Sequence, residues 1–77
     1  MFYNLEVVHI FNPPYIKVTF SAQEDELVVQ THLNTIAGVE KVNIGSDNCK
    51  KHVIVYLLPD SNVNRIAIEI KAKIEKL

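Results

Sequence analysis

Apolar and polar residues recur with a period of two in some stretches of this chain and with a helical period in others. From Tyr3 to Phe11, Tyr3, Leu5, Val7 and Phe11 share one parity while Asn4 and Glu6 share the other, the pattern of a strand with one buried face. Asn12-Pro13-Pro14 ends it, because proline cannot donate to a ladder and asparagine favours turns. Tyr15 to Phe20 alternates again, with Ile16, Val18 and Phe20 on one side and Lys17 and Thr19 on the other. So short a link between two strands predicts an antiparallel hairpin.

The next segment switches period. Ser21 and Glu24 have the spacing of a capping box, the hydroxyl accepting from the Glu24 amide and the carboxylate reaching back to the Ser21 amide. Glu24, Asp25 and Glu26 then place negative charge at the positive end of a helix dipole. Val29, Leu33 and Ile36 form one stripe, and Gly38 suits a left-handed C-terminal cap, which predicts a helix over 22–37. Val39 to Ile44 and His52 to Leu58 read as strands on either side of a polar connection, residues 45–51. After Pro59, Asp60 or Ser61 is positioned to cap a last helix whose stripe is Val63, Ile66, Ala67, Ile70, Ile74 and Leu77. Glu69 and Lys73 stand one turn apart in the favourable order for an ion pair.

The predicted order is ββαββα. Right-handed β-α-β crossovers and neighbour-pairing hairpins then give an α+β fold, a two-layer ferredoxin-like sandwich with an antiparallel four-stranded sheet and two helices on one face. The usual member of that class has its fourth strand after the second helix. Here the N-terminal strand, within residues 1–12, is expected to take that edge beside Ile16 to Phe20, making a permuted plait and one domain over 1–77.

Composition narrows the function classes. At 77 residues, 48% of them hydrophobic, the scaling laws allow about 63% of the unfolded surface to be buried, enough for one thin core and no second domain. Eight Lys and Arg against nine Asp and Glu give a net charge of −1, which supplies no broad attraction for a polyanion, so no nucleic-acid partner is expected. The longest apolar runs fall far short of the roughly 20 residues of a membrane helix, so no membrane insertion is expected. A single cysteine, Cys49, and an N-terminus without a basic and then apolar leader predict a reducing, cytoplasmic setting.

Residues 16–77 resemble the heavy-metal-associated (HMA) domain of copper chaperones and metal-pumping ATPases. The matching pieces are the strand Ile16-Lys17-Val18-Thr19-Phe20, the helix positions Val29, Leu33 and Ile36, Gly38-Val39 leading into Glu40-Lys41-Val42, and the strand Val53 to Tyr56. In that family a Met-x-Cys-x-x-Cys loop supplies two thiolates to a soft ion. Counting back from Gly38, the resemblance puts those positions at Ala22 and Asp25, neither of which is a soft ligand. It therefore implies the fold and removes the metal transfer.

The remaining candidates are few. Cys49 and His52 stand as C-x-x-H near the tip of the second hairpin, where Asp25 or Glu24 completes a conceivable transition-metal site, although a second ligand pair of the zinc type is missing and Lys50-Lys51 repels a cation. Neither His9 nor His32 has a nucleophile or carboxylate placed beside it by sequence, and two glycines make no phosphate-cradling loop, so an enzyme is not expected. The strand His52 to Leu58 is apolar on both parities, leaving open which of them meets the helices. With Tyr15 and Ile68, that surplus predicts contact through the open sheet face, its members Tyr15, Ile54 and Tyr56. The expected function is a non-enzymatic binding module with a protein partner or weak homodimerisation and no cofactor; the alternative is metal binding or trafficking through Cys49 and His52.

Overall fold

Alternating Val, Ile and aromatic residues form four strands, and two amphipathic segments form helices that cover one side of them. The computed structural model describes residues 3–21, 25–47 and 50–77. Its elements are β1 (Tyr3–Val8), β2 (Tyr15–Ser21), α1 (Glu26–Leu33), β3 (Val39–Asp47), β4 (Lys50–Leu57) and α2 (Val63–Glu75). The sheet runs β1-β2-β4-β3 and every neighbouring pair is antiparallel. The folded surface, 4922 Å², matches the roughly 4,800 Å² that scaling assigns to a chain of this size.

Register divides the sheet into two unlike faces. Ile16 stands opposite Val55 and Val55 opposite Val42; Val18 stands opposite Val53. These residues, with Phe20 and Leu57, are buried together with Val29, Leu33 and Ile36 and with Ile66, Ile70 and Ile74 of α2. Tyr3, Leu5 and Val7 of β1 pack on the same cluster. Among the described residues no polar or charged one is buried as a whole, so the core cluster is built of apolar side chains.

Several element boundaries differ from the expectation, each for a local reason. β1 stops at Val8 rather than Phe11, because the chain turns out of the sheet before Pro13 and Pro14. Ser21 does not cap α1: it is the last residue of β2, opposite Lys50, and Glu24 lies outside the described residues. The second hairpin reaches far enough to keep β2 paired through Ser21, and capping falls to Asp25, whose carboxylate accepts from the Leu27 amide at 2.9 Å. At its other end α1 stops at Leu33. There the Thr35 hydroxyl donates to the His32 carbonyl at 2.7 Å and the Ile36 amide bonds to Leu33, tighter turns that take the chain off the α-helical path.

The polar connection expected over 45–51 is mostly strand. Asp47 pairs with Lys50, Ser46 with Lys51 and Gly45 with His52, leaving only Asn48 and Cys49, outside the described residues, between the two strands. In α2 the cap is Asn62, which accepts from the Arg65 amide at 3.0 Å, rather than Asp60 or Ser61. Asp60 instead takes a left-handed turn conformation at φ 65°, and Ser61 Oγ donates to the Gly38 carbonyl at 3.2 Å. Glu69 pairs with Arg65 at 2.8 Å, one turn before it, and the same guanidinium donates to the Ala37 carbonyl at 2.8 Å. Arg65 thereby ties α2 to the turn that leads into β3.

Gly38 sits at this corner with φ 96°. A side chain there would meet Ile66 Cδ1 at 2.9 Å and Ser61 Oγ at 3.2 Å. Both the left-handed backbone and the close approach of α2 make a Cβ unfavourable here. The expected outcome for Gly38→Ala is a loss of about 1–3 kcal/mol of stability in urea denaturation, without a change of fold.

β1 covers the outer edge of β2 through six paired residues, Tyr3 with Phe20 to Val8 with Tyr15, and the Tyr3 hydroxyl donates to Glu75 of α2 at 3.2 Å. Burial, then the hydrogen bond and negative charge of Glu75, raise the phenol above its ordinary range. Removing residues 1–12 would bare both an unpaired strand edge and the core side chains beneath Leu5 and Val7. The truncated chain is expected to aggregate or lose its cooperative melt in calorimetry; a soluble chain melting as the full one does would contradict this role.

On the helix side, Lys51 of β4 meets Glu26 of α1 at 2.7 Å. That hydrogen bond, followed by the bond to the Glu26 amide, lowers the carboxyl below its ordinary range despite partial desolvation. A lowered folded value means that the pair stabilises fully above the ordinary carboxylate pKa of about 4.3 and loses its effect as pH falls through the folded value. The melting temperatures of the wild type and Glu26→Gln should differ at neutral pH and converge in acid.

Candidate functional site

The face of the sheet away from the helices is built in rows, because register places the same parity of each strand side by side. One row crosses Val8, Tyr15, Tyr56 and Lys41 from β1 to β3. The next holds Glu6, Lys17, Ile54 and Asn43, and the one after it Asn4, Thr19, His52 and Gly45. Apolarity is therefore graded along the strands. Aromatic and aliphatic groups collect at the Tyr15–Tyr56 end, and polar ones at the other.

At the aromatic end the rings touch. Phe11 reaches over the end of the sheet to Tyr15, ring centres 5.6 Å apart and tilted 34°. Tyr15 and Tyr56 are 5.9 Å apart at 44°, and the Lys41 ammonium stands 5.1 Å from the Tyr56 centroid. Tilted rings and a cation over a ring face are the arrangements that the aromatic quadrupole favours. Solvent still reaches the group: Phe11 is 60% exposed, Ile10 beside it 82%, and Leu58, just past the end of β4, 44%.

This placement settles which side of β4 is inside. Val53, Val55 and Leu57 lie under the helices, while Ile54 and Tyr56 are half-buried on the open face. Tyr15, Ile54 and Tyr56 do share a surface. Ile68, 67% exposed, projects from α2 in the other layer and does not join them. Phe11, Val8 and Lys41 complete the row and escaped the reading of the sequence. Only cross-strand register aligns Lys41 with Tyr56, and the alternation puts Phe11 on the buried parity of a β1 longer than the strand that forms.

Of the candidate metal ligands, the described residues include His52 and Asp25, which lie in different layers. His52 lies on the open face, its ring over Gly45 so closely that a methyl group there would overlap Nε2. The imidazole supplies the packing that glycine lacks within a strand. Asp25 starts a helix of the opposite layer and spends its carboxylate on the Leu27 amide. Cys49 and Glu24, like Ala22, lie outside the described residues. Among the described residues no three His, Cys, Asp or Glu side chains are grouped to hold a metal ion. Of the other imidazoles, His32 Nδ1 donates back to the Val28 carbonyl at 2.9 Å on exposed α1, and His9 follows β1.

The open face thus offers rings, aliphatic stems and charged rims. Lys17 stands opposite Glu6, and Lys41 holds the β3 edge. Such a surface binds by excluding water from planar or apolar groups, with charges at its margin choosing orientation. No protein-family model, curated protein or solved structure matches this chain, and the chemistry of this face is therefore what any reading of function rests on.

Proposed function

We propose that this chain is a non-enzymatic binding module that acts through protein contacts at its open sheet face. The observation that carries the reading is the run of touching side chains Phe11, Tyr15, Tyr56 and Lys41, from the loop after β1 across β2, β4 and β3. Aromatic anchors flanked by charge are the composition that distinguishes contact surfaces from the rest of a protein exterior. Covering about 400 Å² of apolar surface contributes about 10 kcal/mol at 25 cal/mol per Å², against association costs of about 4–15 kcal/mol. The patch therefore supports reversible contact, with polar rim groups deciding how tight it is.

The strand order, with β2 and β3 both antiparallel to β4 between them, supports a permuted ferredoxin-like plait in which β1 stands for the usual last strand. On that reading the chain is an HMA-like domain without the cysteine pair, Ala22 and Asp25 standing at those positions. A cytoplasmic site of action agrees with the lone cysteine; no helix is long and apolar enough to cross a membrane.

A photoactivatable phenylalanine derivative placed at position 56 tests the reading in cells. It should form discrete protein adducts that disappear when Tyr15→Lys breaks the aromatic row. The same label at position 68, more exposed but in the helix layer, should form none. Equal labelling at both positions, or no adduct at position 56, would overturn it. Tight one-to-one Cu(I) binding by the reduced protein, lost in Cys49→Ala, would favour metal trafficking instead.

A further inference from the structure

We infer that the occupant of the open face is a second copy of this chain, stacked face to face about a two-fold axis parallel to the strands. The inference rests on the contact reading above and adds the partner. Its ground is the self-complementarity of the face. Sheet order puts β1 and β3 at opposite edges, and the charges that these edges present are opposite: Glu6 on β1 and Lys41 on β3.

A two-fold axis along the strands lays β1 over the partner's β3 and β2 over the partner's β4, keeping each row at its own height. Tyr15 then covers the partner's Tyr56, and the reverse, so that the aromatic ends bury one another. Lys17, whose register partner in its own copy is Glu6, lies over the partner's Ile54 with its stem on the aliphatic group. Glu6 meets the partner's β3 at Asn43, one step along the same face from Lys41. Polar rows also meet polar rows, Thr19 over the partner's His52.

The other face-to-face axis, across the strands, fails on the same register. It would set the Tyr15 and Tyr56 row over the Ser21 and Lys50 end and bury rings against an ammonium-bearing, polar surface. Of the two, the first arrangement sets the aromatic rows over one another and brings Glu6 within one row of the partner's Lys41. It is also isologous, each copy using the same patch, which closes the assembly at two.

Four strands about 4.8 Å apart and a few rows of residues give about 400 Å² of face per copy. Two copies bury about 800 Å², below the 1,200 Å² or so of a stable standard interface. Ile10 and Phe11, exposed at the aromatic end, extend the contact past the strands. The dimer is accordingly weak and appears only as concentration rises.

Sedimentation equilibrium across a wide concentration range, with thermal melts confirming that each variant folds, tests this. The wild type should shift from monomer to dimer, and Tyr56→Lys should remain monomeric. Glu6→Lys and Lys41→Glu should each weaken the dimer about fivefold or more, because each loss occurs twice across the axis. Combining them restores opposite charges across the interface and should return the dissociation constant to about that of the wild type, a rescue that a merely structural effect would not give. A wild type that stays monomeric at every concentration would overturn the second copy. A dimer indifferent to these substitutions would overturn this face. If position 56 crosslinks only to other proteins, the second copy is refuted while the contact reading stands; if it forms no adduct and the dimer is absent, both fail.

Discussion

Burial of one parity of the two central strands beneath α1 and α2 is the constraint on which the rest of this structure depends. Ile16 and Val18 of β2 and Val53 and Val55 of β4 are shielded completely, and Leu33, Ile66 and Ile70 close over them from the helices. A side-chain period of two lets no residue of a strand serve both faces. Once those four residues point inward, Tyr15, Lys17, Ile54 and Tyr56 must point outward. The open face is thus a consequence of the core, and its aromatic row needs no separate element to create it.

Among the described residues both helices lie on one side of the sheet, and no helix covers the second face. The molecule manages its exposed parts unevenly. β1 covers the outer edge of β2. A register shift between Val39 and Lys41 interrupts the regular ladder of β3, and Gln30 Nε2 from α1 donates to the Val42 carbonyl at 2.7 Å, both of which blunt that edge against unwanted strand pairing. The open face has no such guard at its aromatic end, where Ile10, Phe11 and Leu58 stand in solvent. Protected edges disfavour strand addition and leave the apolar face available to side-chain contact.

The corner at Gly38 shows how packing and connectivity are joined. Gly38 permits the turn out of α1, Ile66 fills the space that its missing side chain leaves, and Ser61 and Arg65 take the Gly38 and Ala37 carbonyls. Helix placement and the start of β3 are fixed by the same few atoms. That is why glycine serves here at a strand entrance and not as the cap of α1.

Period and punctuation in the sequence determined the elements themselves: six of them in the order ββαββα, a stripe of Ile66, Ile70 and Ile74 on the last helix, and an N-terminal strand able to pair with Ile16 to Phe20. These signals are local, set by side-chain spacing and by residues that cannot extend a ladder or helix. Tertiary structure alone decided the rest. The parity of β4 was ambiguous because both of its sides are apolar, and only the helices' choice of Val53 and Val55 resolved it. Ser21 had the spacing of a cap and Asp25 read as first-turn charge, but the length of the β3–β4 hairpin gave Ser21 to the sheet and left the cap of α1 to Asp25. Phe11, Lys41 and Tyr56, far apart in the chain, became neighbours through cross-strand register, a long-range quantity that no window of sequence contains.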